Sequence, residues 1–261
     1  MAFTTFMIVI DPAQELQPAL LDVLEPARAM GARLHLYACL DGTATVAAVA
    51  AAERLLDGLS GQAAAAGLAV SSELERDADW QVQAVRAAVR CGADLLVKYS
   101  FDHSALQREL RATSDWTVLR NAPCPVLLVK HRRRWTRQGV LGAVNFNARD
   151  GAHARLNNLV IGATRGFASA LGATQYFINA CEEGQDVPDA AAIAGRCGVP
   201  EQQVFVCAGP PHEAIVSMAE TLEVDLIVLG TVGRRGLVGK WIGNTVEKLL
   251  DHTHIDILVL N

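Results

Sequence analysis

No uninterrupted apolar run in the 261-residue chain reaches the roughly 18 residues that a membrane span requires. The opening stretch MAFTTFMIVI has no basic region and no small-residue cleavage site, so it reads as a first strand and not as a secretory signal. The expectation is a cytoplasmic protein without a membrane partner. Lysine is scarce, with four residues against 19 arginines, and the formal net charge is -5. Affinity for a phosphate backbone needs a concentrated excess of Lys and Arg, so no nucleic-acid partner is expected. The one basic cluster, His131-Arg132-Arg133-Arg134 with Arg137 nearby, is short and reads as a solvated linker. Six cysteines stand singly, without a Cys-x-x-Cys or a Cys/His pair at zinc-site spacing, and fit small buried hydrophobes. The seven histidines form no H-E-x-x-H, and no G-x-S-x-G occurs for acyl transfer.

What is present is apolar. Hydrophobic residues make up 51% of the chain and charged residues 20%, which gives ample core and excludes disorder. Short apolar runs at 6–10, 34–40, 68–74, 95–97 and 126–130 read as strands. They alternate with helical patterns at 18–30, 44–66, 80–90 and 114–121, and the order then starts again with strands at 140–144, 176–180, 204–206, 226–229 and 257–260. Such alternation implies βαβ units and a parallel sheet covered on both faces.

The halves can be laid on one another. Sliding Asp94–Lys130 forward by 131 positions places it on Asp225–Asn261 without a gap, with DLLV on DLIV and PVLLVK on DILVLN. Gly31-Ala32 also has a counterpart in Gly172-Ala173, each pair preceding a strand. Two domains of one fold follow, at 1–130 and 139–261, joined by a basic linker at 131–138.

The second half contains GTVGRRGLVGKWIGNT, Gly230–Thr245. A Walker A loop is excluded because Trp241 follows Lys240 and Arg234 stands where the first glycine belongs; G-x-G-x-x-G after a first strand is also missing. The pattern present is Gly230-x2-Gly233-x9-Gly243-Asn244-Thr245, running from the end of an apolar strand to the start of a helix. Asn244 with Glu247 resembles a capping box. A helix start offers free N–H groups and a positive dipole end to an anion, and glycines allow close backbone approach. Arg234, Arg235 and Lys240 lie inside the loop, either to neutralise phosphate or simply to be solvated.

The G-x2-G-x9-G-N-T pattern, with IGNTVEKLLDH and TSDWTVLRNAPCPVLLVK, resembles the ATP-binding universal stress proteins over the whole chain, as two tandem copies. The resemblance implies an α/β fold of two doubly wound, Rossmann-like domains, each a five-stranded parallel sheet of order 3-2-1-4-5 with helices on both faces. It implies an adenine nucleotide as ligand, ATP with or without Mg, lying across the carboxyl ends of the strands in the second half. Gly230, Gly233, Gly243, Asn244 and Thr245 match phosphate and ribose contacts, with Arg234 beside them. Asn145 and the neighbourhood of Ala180 would line the adenine end. Family members usually carry Asp where Asn145 stands, which alters the acceptor pattern offered to a base.

In the first half Asp11 is present, but Tyr99, Asp102 and Ala112 replace the glycines and Thr113 replaces Asn244. A carboxylate at Asp102 would repel phosphates, so this half is not expected to hold ATP in the same way. No acidic residue occurs from Leu226 to Val246 to hold a metal or orient water, which suits binding more than turnover. The reading is a nucleotide-binding stress-response regulator; slow hydrolysis or adenylyl transfer, and a nucleotide-free scaffold, are the alternatives. Apolar fifth strands, VLLVK and ILVLN, invite edge pairing, so a pseudo-dimer of the halves and a homodimer of the chain are expected.

Overall fold

The computed structural model describes residues 3–100, 115–130, 135–136, 138–148, 150–182, 184, 186–231 and 244–261. The chain divides into two compact units, Ala2–Arg134 and Trp135–Asn261. In the first unit β1 (Thr5–Ile10), β2 (Arg33–Leu40), β3 (Val70–Arg76), β4 (Leu95–Tyr99) and β5 (Val126–Val129) pair in parallel in the order β3-β2-β1-β4-β5. Helices α1 (Pro18–Met30), α2 (Val46–Ala65), α3 (Trp80–Cys91) and α4 (115–121) connect them.

The second unit repeats the plan. Strands β6 (Gly139–Val144), β7 (Thr174–Cys181), β8 (Val204–Ala208), β9 (Leu226–Gly230) and β10 (Asp256–Leu260) are parallel in the order β8-β7-β6-β9-β10. Helices α5 (Gly151–Leu171), α6 (Ala190–Cys197), α7 (Pro211–Thr221) and α8 (Asn244–His252) lie between them. Among the described residues no helix is long and apolar enough to cross a membrane.

Composition explains the layering. The central strand β1 buries Phe6, Met7 and Ile8 in succession and then Ile10, so both of its faces need cover, whereas β3 exposes Ser71 and Ser72. Free thiols fit the same pattern: burial pushes Cys197 up to about 11 and Cys124 up to about 12, which leaves both inert at neutral pH.

Two devices recur between the units. Gly31 and Gly172 end α1 and α5 in the left-handed conformation, at φ of 68° and 65°, and turn the chain into β2 and β7. The second device is a carboxylate that ties the start of the first strand to the start of the fourth. Asp94 accepts the backbone N–H of Thr4 (2.7 Å) and Thr5 (3.0 Å) and the Thr4 hydroxyl (2.7 Å). Asp225, 131 positions later, accepts the backbone N–H of Thr136 (2.6 Å) and Gln138 (2.8 Å) and the Thr136 hydroxyl (2.8 Å). Trp135 adds an indole N–H donated to the buried Asp256 (2.6 Å). Thus Trp135, Thr136 and Gln138, inside the stretch read as linker, are bonded into the second unit; residues 131–134 and 137 lie outside the described set.

Asp225 is buried and each of its oxygens is used, so Asp225→Ala orphans several donors at once. The substitution is expected to lower the unfolding free energy by about 2–3 kcal/mol in urea titration, with Asp225→Asn losing less.

Candidate functional site

Strand order reverses at β6, whose neighbours β7 and β9 leave in opposite directions along the sheet. At their carboxyl ends a cavity of about 250 Å³ opens, walled by the ends of β6, β7 and β9, the first half of α5, and the starts of α7 and α8. Asn145, Ala180, Gly230 and Thr245 all line it. Four residues marked from sequence are therefore brought together. Asn244 opens α8, but its side chain, with Gly233, Arg234, Arg235, Lys240 and Gly243, lies outside the described residues.

The floor is fixed by asparagines. The Asn157 amide grips the backbone of Asn145 from both sides: its Oδ1 accepts the Asn145 N–H (2.9 Å) and its Nδ2 donates to the Asn145 carbonyl (2.8 Å). The Asn145 Oδ1 in turn accepts the N–H groups of Asn147 and Ala148, both at 3.1 Å, closing an Asx turn. Only an oxygen can accept two N–H groups, so the orientation of the Asn145 amide is forced and its NH2 is the remaining donor. The fully buried Asn179 accepts the Phe146 N–H (2.7 Å) and donates to Asn147 (2.7 Å), holding the β6–α5 loop from β7.

Other walls are apolar. Leu156, Val160, Ile178, Ile215, Leu229 and Val246 suit a flat ring. Gly230 has a packing reason: a Cβ built on it would overlap Cγ and both methyl carbons of Leu156, so α5 could not keep its place. Asp150 caps α5 by accepting the N–H groups of Ala152 and His153, both at 3.0 Å, and its second oxygen meets the His153 Nδ1 at 2.6 Å. The His153 backbone N–H, then its imidazole, hold the exposed Asp150 carboxyl below its usual range.

Sequence reasoning missed Leu156, Asn157, His153 and Asp150. A signal existed for Asn157, an amide within the apolar-periodic stretch LNNLVIG, and for Asp150, an N-cap residue three positions before a histidine.

This geometry has relatives. The description of the universal stress protein family matches residues 2–130 and 140–261. The chain belongs to the universal stress protein family. Universal stress protein E of Escherichia coli K12 is 29% identical over 200 residues, 67% of this chain and 63% of that protein, so the chain spans under two thirds of that relative. Universal stress protein E of Photorhabdus laumondii is 26% identical over 299 aligned positions, covering 99% of this chain and 95% of that protein. Among solved structures, a functionally unknown protein from Pseudomonas aeruginosa PAO1 matches with a TM-score of 0.84 at 29% identity, covering 99% of this chain and 92% of that one.

The two universal stress protein domains differ at the same place. Pro211, Leu229, Gly230, Thr231 and Val246 line the cavity of the second domain; 131 positions earlier the first has Trp80, Lys98, Tyr99, Ser100 and Asp115. The side chains of Lys98, Ser100 and Asp115 bond to one another. The buried Lys98 ammonium pairs with Asp115, donates to the Tyr99 carbonyl (2.9 Å) and lies 5.7 Å from the Trp80 ring centroid, while Ser100 donates to the other Asp115 oxygen (2.5 Å). Asp11 is likewise committed, its oxygens accepting the Ala13 N–H (3.0 Å) and the Gln14 amide (2.8 Å).

Two outcomes are expected. Lys98→Leu alone strands a buried carboxylate and should cost about 3–5 kcal/mol, whereas Lys98→Leu with Asp115→Val, the second domain's residues, should recover most of it in urea unfolding. Gly230→Ala should destabilise by about 1–3 kcal/mol through overlap with Leu156, and Leu156→Ala in the same chain should relieve part of that loss; a double-mutant cycle measures the coupling.

Proposed function

We propose that the second domain binds one adenine nucleotide, ATP with or without Mg, and that its occupancy regulates a stress response. The observation that carries the reading is the convergence of Asn145, Ala180, Gly230 and Thr245 on one cavity at the carboxyl ends of the strands, where the strand order reverses. In this reading the adenine lies among the apolar walls near Asn145 and Ala180. The phosphates run past Thr245 toward the start of α8, where backbone N–H groups and the helix dipole favour negative charge. Gly233, Arg234, Gly243 and Asn244 complete the phosphate cradle, as the sequence pattern implies.

Binding suits the site better than turnover. No carboxylate stands among the described residues lining the cavity, so none is supplied there to hold a catalytic metal. The first domain is a partner fold without this ligand, because the equivalent positions satisfy one another through Lys98, Ser100 and Asp115. Regulation then works through assembly: ATP occupancy shifts self-association of the chain, and sedimentation with and without nucleotide would register the shift.

Denaturing freshly purified protein and analysing the released small molecules by mass spectrometry tests the proposal. Wild type is expected to release about one adenine nucleotide per chain, and Gly233→Asp to release none. An empty wild type that also fails to bind added ATP would overturn the reading in favour of a scaffold.

A further inference from the structure

Of the described residues that line the cavity, His153 alone carries an ionisable side chain. It sits one turn into α5, and its ring is held by Asp150 rather than by the ligand. An ionised carboxylate only accepts, so the 2.6 Å contact requires the proton on Nδ1. Nε2 is then the functional end of the ring, and it has no hydrogen-bond partner among the described residues. Neutral, it is an acceptor; protonated, it is a donor with a positive charge spread over the ring. A base or general acid needs such an orienting partner, and so does a side chain that must meet one atom of a ligand.

The surroundings decide what that atom is. The other polar groups of the wall are the neutral amides of Asn145 and Asn157 and the hydroxyls of Thr231 and Thr245. Arg155 on α5, His212 and Glu213 on α7, and Glu247 and Lys248 on α8 are the nearby charged or titratable groups of the cavity's helices, and none of them lines it. Only His153 can place a full positive charge on the described wall. An anionic oxygen of the ligand is the counterpart that gains most from that charge.

We propose that His153 is a ligand-contact residue that donates from Nε2 to a phosphate oxygen of the bound nucleotide, with Asp150 as its positioning residue. This rests on the reading of the cavity as a nucleotide site and adds to it the residue that distinguishes nucleotide from nucleoside. Binding breaks no bond in the ligand: the imidazolium donates to a phosphate oxygen at Nε2 and to Asp150 at Nδ1.

Calorimetric titration of ATP and of adenosine into the intact chain reads the affinity for each. Wild type is expected to bind ATP more tightly than adenosine. His153→Gln should bind ATP at least tenfold more weakly, and adenosine within twofold of wild type. Asp150→Asn should fall between. Should His153→Gln fold poorly, the imidazole 15N resonances of the wild type serve instead: the Nε2 resonance is expected to move on addition of ATP and not of adenosine. Equal ATP affinity in wild type and His153→Gln, equal weakening of ATP and adenosine, or an Nε2 resonance unmoved by ATP would overturn the inference while leaving the nucleotide site standing. A wild type that binds neither ligand would remove both.

Discussion

Each unit depends on a carboxamide that holds, from both sides, the backbone of the residue that follows its first strand. In the second unit Asn157 accepts the Asn145 N–H and donates to the Asn145 carbonyl. In the first, Gln17 accepts the Asp11 N–H (3.2 Å) and donates to the Asp11 carbonyl (2.8 Å). Both amides are buried, so water does not compete for these bonds, and both come from the helix or helix cap that follows the strand. The chain leaves a buried strand at that point and must satisfy its polar backbone without a ladder partner. The clamp solves that problem, and it also fixes the floor on which a ligand would rest.

From that common base the copies diverge. The second unit keeps small and apolar side chains where β9, α7 and α8 meet, and a cavity results. Its partner spends the same positions on a lysine, an aspartate and a serine that bond to one another, with the Trp80 ring beside the ammonium and the Tyr99 carbonyl accepting from it. A buried ion pair contributes little net stability against an apolar alternative, yet removing one member is costly. Lys98, Ser100 and Asp115 thereby tie β4 to α4 in the first unit. Gly230 shows how closely fold and site are joined on the other side: its missing Cβ makes room for Leu156, which is itself part of the wall.

The layering and the repeat were legible in the sequence because they rest on local patterns. Apolar runs such as FMIVI and DLIVL mark strands buried on both faces, and the gapless 131-residue shift between Asp94 and Asp225 marks a device as well as an alignment, since both carboxylates tie down the first strand. Gly230 and Thr245 were marked by the glycine pattern and Asn145 and Ala180 by the family resemblance, and the four share one cavity. Asn157 and His153 were not legible, because their roles depend on which face of α5 meets β6, and no local spacing encodes that. The internal bonding of Lys98 with Asp115 was hidden for the same reason: the residues are 17 apart and meet only once β4 and α4 lie side by side.

In the proposed function one unit carries the nucleotide and the other does not. Hydrogen–deuterium exchange with and without saturating ATP tests this on the intact chain. Slowed exchange is expected at the carboxyl ends of β6, β7 and β9, in the loop after β6 and at the start of α8, with the equivalent segments around β1, β4 and α4 unchanged. Equal protection in both units, or protection confined to the first, would contradict it.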